Sequence, residues 1–297
     1  MKSQVTTTLC VLSLVTVFAP LLVQAQGMKP LTLEYMLKRD SPEGRADRVA
    51  EVPFAAYKVV GNIYYVGEDT HASFLITTPA GHILINSNYE RNLPWVRESV
   101  EKLGFKFSDI KILLGSHAHA DHQEADALVK QMTGAQVMAM DRDVPALQKM
   151  QPGGKPHPID RILHDGDKVT LGGTTLTAYL TPGHTEGCTT WTTKTPEGGR
   201  TYDVVIMGCI GANGRIVLAN NKAYPKIADD FKLTYKVLRS LHADVFMGSH
   251  TEHYNMKEKY AALGKGPNPF IDEEGYKNAI DNYERMFNYK LDQQTKK

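Results

Sequence analysis

Short apolar runs and amphipathic stretches alternate along most of this chain. Residues 57–60, 63–66, 73–77 and 82–86 each read as a short strand, bounded by glycine or polar residues. Residues 92–103 carry Val96, Val100 and Leu103 at helical spacing, with charged residues on the other face, and predict an amphipathic helix. The apolar run 110–114 follows as a buried strand. A second helix is expected over 124–132, with apolar Ala127, Leu128 and Met132, and a strand over 137–140. The stretch 151–158, Gln-Pro-Gly-Gly-Lys-Pro-His-Pro, forbids a helix interior and reads as an irregular connection bordering the site. Strands resume near 162 and over 168–171, 174–180, 189–193 and 204–207, with Gly172-Gly173 closing a tight hairpin. Phe231, Tyr235, Leu238 and Leu241 mark a helix over 227–241, and 274–293 reads as a closing helix.

One pattern occurs twice: a helix, then an apolar strand that ends in Gly-Ser-His, at 112–117 and at 245–250. Each half of the chain therefore delivers a histidine at a strand end. No low-complexity linker separates the halves, so residues 26–297 are expected to form one α+β domain. Its architecture would be an αββα sandwich, two facing mixed sheets with helices on both outer faces.

Residues 1–25 differ in kind. They hold a single lysine, an apolar run interrupted by Ser13, Thr16 and Pro20, and the small-residue pattern Val23-Gln24-Ala25. This predicts a cleaved secretory signal peptide and a periplasmic mature protein; the run is short for a membrane anchor, and Pro20 is unfriendly to a spanning helix. No later segment is apolar enough to cross a bilayer. Loss of Lys2 with the leader brings the formal charge from +1 to 0, which gives no ground for a nucleic-acid or other polyanionic partner. Of the three cysteines, Cys10 leaves with the leader. Cys188 and Cys209 remain, and pairing, free thiols and metal ligation are all open to them.

The chemistry concentrates in Ser116-His117-Ala118-His119-Ala120-Asp121-His122, directly after the 110–114 strand. Imidazole nitrogens and a carboxylate at this density suit zinc. His117 and His119, one residue apart, can turn to the same side, while Asp121 and His122 face elsewhere and point to a second ion nearby. The plainer alternative is a polar loop whose histidines only make hydrogen bonds.

This stretch is similar to the His-x-His-x-Asp-His signature of the metallo-β-lactamase superfamily. The similarity extends through Pro182-Gly183-His184-Thr185-Glu186-Gly187-Cys188-Thr189-Thr190-Trp191 and Gly248-Ser249-His250, covers about residues 57–270, and looks closest to the third subclass of zinc β-lactamases. The resemblance implies two zinc ions per chain. His117, His119 and His184 would hold the first, with one position open to water, and Asp121, His122 and His250 the second. It implies hydrolysis of the β-lactam amide of penicillins, cephalosporins and carbapenems, and hence antibiotic resistance. A metal-bound hydroxide would be the nucleophile, oriented by Asp121 as the catalytic carboxylate. The partner would be that small-molecule substrate alone, and the protein a monomer. Another hydrolase of the superfamily, such as a lactonase, or a zinc-stapled binding protein, are the competing readings.

Three departures from the family pattern matter. Met207-Gly208-Cys209 stands where many superfamily hydrolases carry a metal-bridging aspartate and where other zinc β-lactamases carry a metal-bound cysteine or a serine. Since His122 is also present, Cys209 is expected beside the metals or in a disulfide with Cys188, rather than on zinc. Gly211 and Ile216 replace a serine and a tyrosine that relatives use around the substrate, which leaves Asn213 and Arg215 as candidates to hold its carboxylate. The remaining histidines, His71, His82, His157, His164, His242 and His253, are expected at the surface or in hydrogen bonds. Asp126 and Asp141 are expected on helix faces or at helix caps.

Overall fold

Ile83, Ile85, Ile112 and Leu114 join one apolar cluster, while Leu84, Leu113 and Val137, from the same strands or their neighbour, join another. A sheet apolar on both faces must be covered on both, and that requirement sets the layering of this protein. The computed structural model describes residues 30–39, 41, 51–213 and 216–296. The expected leader, 1–25, and Arg215 lie outside the described residues.

The first sheet has seven strands in sequential order: β1 (Tyr57–Val60), β2 (Ile63–Tyr65), β3 (Phe74–Thr78), β4 (Gly81–Ile85), β5 (Ile110–Leu114), β6 (Gln136–Met140) and β7 (Arg161–Leu163). β1 to β4 pair antiparallel and β4 to β7 parallel. The second sheet runs β12-β11-β10-β9-β8, from β8 (Lys168–Leu171), β9 (Thr174–Leu180), β10 (Thr189–Glu197), β11 (Arg200–Met207) and β12 (Val245–Gly248). Only its β11–β12 pair is parallel. Both sheets are mixed, as expected.

Helices α1 (Leu33–Arg39), α2 (Leu93–Lys102), α3 (Ala120–Gln123), α4 (Asp126–Thr133), α5 (Val144–Leu147), α6 (Ile227–Ser240), α7 (Met256–Ala262) and α8 (Glu273–Thr295) complete the fold. Val96 and Val100 of α2 and Val129 of α4 cover the outer face of the first sheet. Phe231, Tyr235 and Leu238 of α6 pack with Ile280, Tyr283 and Phe287 of α8 and with the second sheet. Each such buried side chain contributes roughly 1.5–3 kcal/mol.

The hairpin at Gly172-Gly173 forms with both residues at positive φ, where glycine carries no steric penalty. Two element boundaries differ from those expected. The helix expected over 124–132 forms as α4 but starts two residues later, at Asp126, because the Ala125 N–H donates to Asn88 O at 3.0 Å, outside the helical ladder. β10 runs on to Glu197 despite Pro196. β9 pairs only with residues 189–192 of β10, so the proline lies beyond the doubly paired part of the strand.

Candidate metal centre

The site sits where strands of both sheets end. β5 hands the chain to the loop that holds His117 and His119 and to α3, which carries Asp121 and His122; the β9–β10 connection carries His184; β12 ends just before His250. The two sheets are tied together at this point. Thr189 N–H donates to Ser116 O at 2.8 Å, and Trp191 Nε1–H to Gly115 O at 3.1 Å.

His117, His119 and His184 each direct a ring nitrogen to a common point, all three within 4.8 Å of one another. His184 Nδ1 faces Gly211 O at 3.1 Å. A carbonyl only accepts, so Nδ1 carries the proton and Nε2 keeps a lone pair. His117 is buried, its Nδ1 lies 3.1 Å from Ser116 Oγ, and its Nε2 has no hydrogen-bond partner among the described residues. Burial and the neighbouring imidazoles of His122 and His184 push the His117 pKa well below the ordinary value. Burial and His119 bring His184 down to about 4. Neutral, convergent imidazoles with an orphaned buried nitrogen are what a divalent cation requires.

Asp121, His122 and His250 form a second cluster. His122 Nε2 lies 3.3 Å from His250 Nε2 and 3.3 Å from Asp121 Oδ2, and His250 Nε2 lies 3.7 Å from the same oxygen. Donors placed tetrahedrally about zinc at 2.0–2.1 Å are about 3.4 Å apart, so this triangle fits one ion. Burial alone would raise the Asp121 carboxyl, but the imidazoles of His122, His250 and His117 outweigh it and hold the group far below the usual carboxylate range. Asp121 is an anion at neutral pH.

The loops are held by residues that the sequence pattern passes over. Asp143 is buried; its Oδ2 accepts from Ala118 N at 2.8 Å and Thr185 Oγ1 at 2.9 Å, and its Oδ1 from Gly187 N at 2.7 Å. A Cβ on Gly187 would stand 2.3 Å from Asp143 N, so only glycine permits this approach. Asn86, at φ +64°, accepts the Ser116 N–H on Oδ1 at 2.9 Å and donates from Nδ2 to Ala72 O at 3.0 Å. Asp126 opens α4, in keeping with the helix position expected for it, and has a further role. It is buried, accepts from Ser87 Oγ at 2.6 Å and lies 3.2 Å from His157 Nε2. The 151–158 segment is thereby anchored to the start of α4.

His71 is the main correction among the histidines. Its Nε2 lies 3.5 Å from Asp121 Oδ2, its Nδ1 is bound to Glu68, and its backbone bridges that of His250. The signal was weak because His71 stands alone in sequence, some fifty residues before the motif. Of the others, His157 is buried with its ring nitrogens 3.1 Å from Pro158 O and 3.2 Å from Gln123 O, a hydrogen-bonding place as expected; His82 and His253 are also buried, His253 beside His250, and His164 and His242 are exposed as expected. Cys188 and Cys209 form a disulfide, with Cα atoms 6.1 Å apart, packed against His117. Asn213 is half-buried two residues beyond Gly211, whose carbonyl holds His184.

The fold has counterparts among solved structures. The native FEZ-1 metallo-β-lactamase from Legionella gormanii is 48% identical, with a TM-score of 0.79, over 82% of this chain and 98% of that one. The chain belongs to the metallo-β-lactamase superfamily. A second such metallo-β-lactamase, LRA-12 from an Alaskan soil metagenome, described as class B3 and di-zinc, is 30% identical over 80% of this chain and 94% of its own, with a TM-score of 0.72. No family model matches the sequence. The chain spans about a third of the length of the curated relatives it matches, among them a hydroxyacylglutathione hydrolase of Chelativorans sp., 32% identical over 92 residues, which are 31% of each chain.

Proposed function

We propose that this protein is a zinc-dependent hydrolase that opens the amide of β-lactam antibiotics, with His117, His119 and His184 holding one ion and Asp121, His122 and His250 the other. The observation that carries the reading is the Asp121–His122–His250 triangle, whose donor spacings suit one ion without help from residue 209. With Cys209 bound to Cys188, that position offers neither a thiolate nor a carboxylate. The likeness to solved metallo-β-lactamases over four fifths of the chain supports the same substrate class.

Zinc, when bound, supplies a Lewis acid and lowers the pKa of its water toward neutrality. The chain's own groups do the rest. Asp121 stays ionised and can orient a water through its carboxylate. His184 is fixed in one tautomer by Gly211 O, and the imidazoles of His184 and His117 stay neutral. Asn213, two residues beyond the Gly211 carbonyl that holds His184, and Arg215 are proposed to hold the substrate carboxylate. The mature chain, 26–297, is proposed to act as a periplasmic monomer that confers antibiotic resistance. A disulfide suits an oxidising compartment, and no helix among the described residues is long and apolar enough to cross a membrane.

The partial matches to hydroxyacylglutathione hydrolases favour a second reading, thioester hydrolysis. Turnover of a carbapenem, a lactone and a hydroxyacyl-glutathione thioester on one zinc-loaded preparation separates the alternatives. The proposal expects the carbapenem to give the highest kcat/KM. A higher value for either of the other two would overturn it.

A further inference from the structure

The carboxylate of Glu68 is fully buried, and an ionised group in that position is costly unless something cationic or strongly polar faces it. What faces it is His71. Glu68 Oε1 binds His71 Nδ1, and the same oxygen accepts from His71 N and Thr70 Oγ1, each at 3.0 Å. These bonds fix both the ring's orientation and the proton on Nδ1. His71 Nε2 is thereby directed to Asp121 Oδ2 at 3.5 Å, midway between the 3.3 Å and 3.7 Å that separate this oxygen from His122 and His250. The donor atoms of His71, Asp121 and His250 all lie within 4.8 Å of one another.

A buried carboxylate on one imidazole nitrogen, with the other nitrogen aimed into a metal-binding cluster, is the arrangement by which proteins orient a metal-bound histidine. The backbone enforces it. His71 bridges His250, and Ala72 N–H donates to Ser249 O at 2.8 Å, so the two histidines are carried by paired segments.

We propose that His71 is a fourth protein ligand of the second metal ion, beside Asp121, His122 and His250, with Glu68 as the residue that positions it. The inference rests on the assignment of those three residues to a second ion. It makes the second site richer in protein donors than the first, and therefore the tighter of the two.

Competition with a chelator, on protein loaded with zinc or cobalt, measures the two affinities separately. In His71→Leu the second ion should bind on the order of 100-fold more weakly, and in Glu68→Gln about 10-fold more weakly, while the first ion is retained unchanged and serves as the folding control. The unaltered di-cobalt protein supplies a reading that needs no variant. With histidine labelled by nitrogen-15, six imidazoles, those of His71, His117, His119, His122, His184 and His250, should show contact-shifted resonances. Five such imidazoles, or unchanged second-ion affinity in His71→Leu, would overturn the inference while leaving the two-ion reading intact. One ion per unaltered chain would overturn both.

Discussion

Asp143 accepts the Ala118 backbone N–H on Oδ2 at 2.8 Å, and in doing so holds the turn between His117 and His119. The same carboxylate binds Thr185 and Gly187 on either side of the loop that carries His184. One buried side chain thus fixes the two loops that supply three imidazoles. Asp143→Ala leaves three donors without this acceptor, at about 1–3 kcal/mol for a buried unsatisfied group. The expected result is a loss of about 3 kcal/mol in urea unfolding, with first-ion affinity falling more than second-ion affinity. Equal loss at both sites would show that Asp143 acts on the fold alone.

The disulfide gives a second expectation. Cys188 and Cys209 are 21 residues apart and join the start of β10 to the end of β11. Denatured protein made in an oxidising compartment, and never exposed to reductant, should hold no titratable thiol. Closing a loop of this size stabilises by roughly 3 kcal/mol through the unfolded chain, so Cys188→Ser/Cys209→Ser should lower the urea midpoint accordingly. Two free thiols in the unreduced protein would contradict the pairing.

What the sequence made legible follows from which contacts are local. The strands of both sheets, the Gly172-Gly173 hairpin and the paired Gly-Ser-His strand ends are written in residues adjacent along the chain, and periodicity and turn chemistry read them directly. His117, His119, Asp121 and His122 share one short stretch, so their company was visible. His71 reaches Asp121 only because the turn after β2 is paired to the segment beyond β12, a contact spanning 179 positions that leaves no pattern in the neighbouring residues. Asp143 and Asn86 are similar cases. An aspartate at a short helix and an asparagine at a strand end look ordinary until the loops that they bind are folded beside them.

Metal-free protein should lose stability in acid over a window set by its imidazoles. His184 has its pKa depressed to about 4 by burial and by His119, and burial also lowers His117 and His250. The unfolded chain takes up these protons near 6.5. The contribution of neutral imidazole to stability is therefore complete above about pH 6.5 and lost as the pH falls toward 4. The urea midpoint of the metal-free protein should decline across that interval, and His184→Asn should flatten part of the decline. A midpoint that rises between pH 6.5 and 4 would mean that these imidazoles are charged in the folded state.

The two clusters predict separable losses of metal. His117 and His184 converge with His119, whereas His122 and His250 meet Asp121, and the Nε2–Nε2 separation of His122 and His250 is 3.3 Å. Replacing His184 by alanine removes one of three donors from the first cluster and touches none of the second. His122→Ala/His250→Ala strips the second of two donors. After dialysis against a weak chelator, metal analysis should give two ions per chain for the unaltered protein. Each variant should retain one, and turnover should fall by about 100-fold or more in both, since each ion stabilises charge that develops in the reaction. The geometry also sets which ion remains. Cobalt in His184→Ala should report a site built from a carboxylate and imidazoles, and cobalt in His122→Ala/His250→Ala one built from imidazoles and solvent. Two ions retained by His122→Ala/His250→Ala would show that the second ion is held elsewhere, and the assignment of that site would fall whatever the activity.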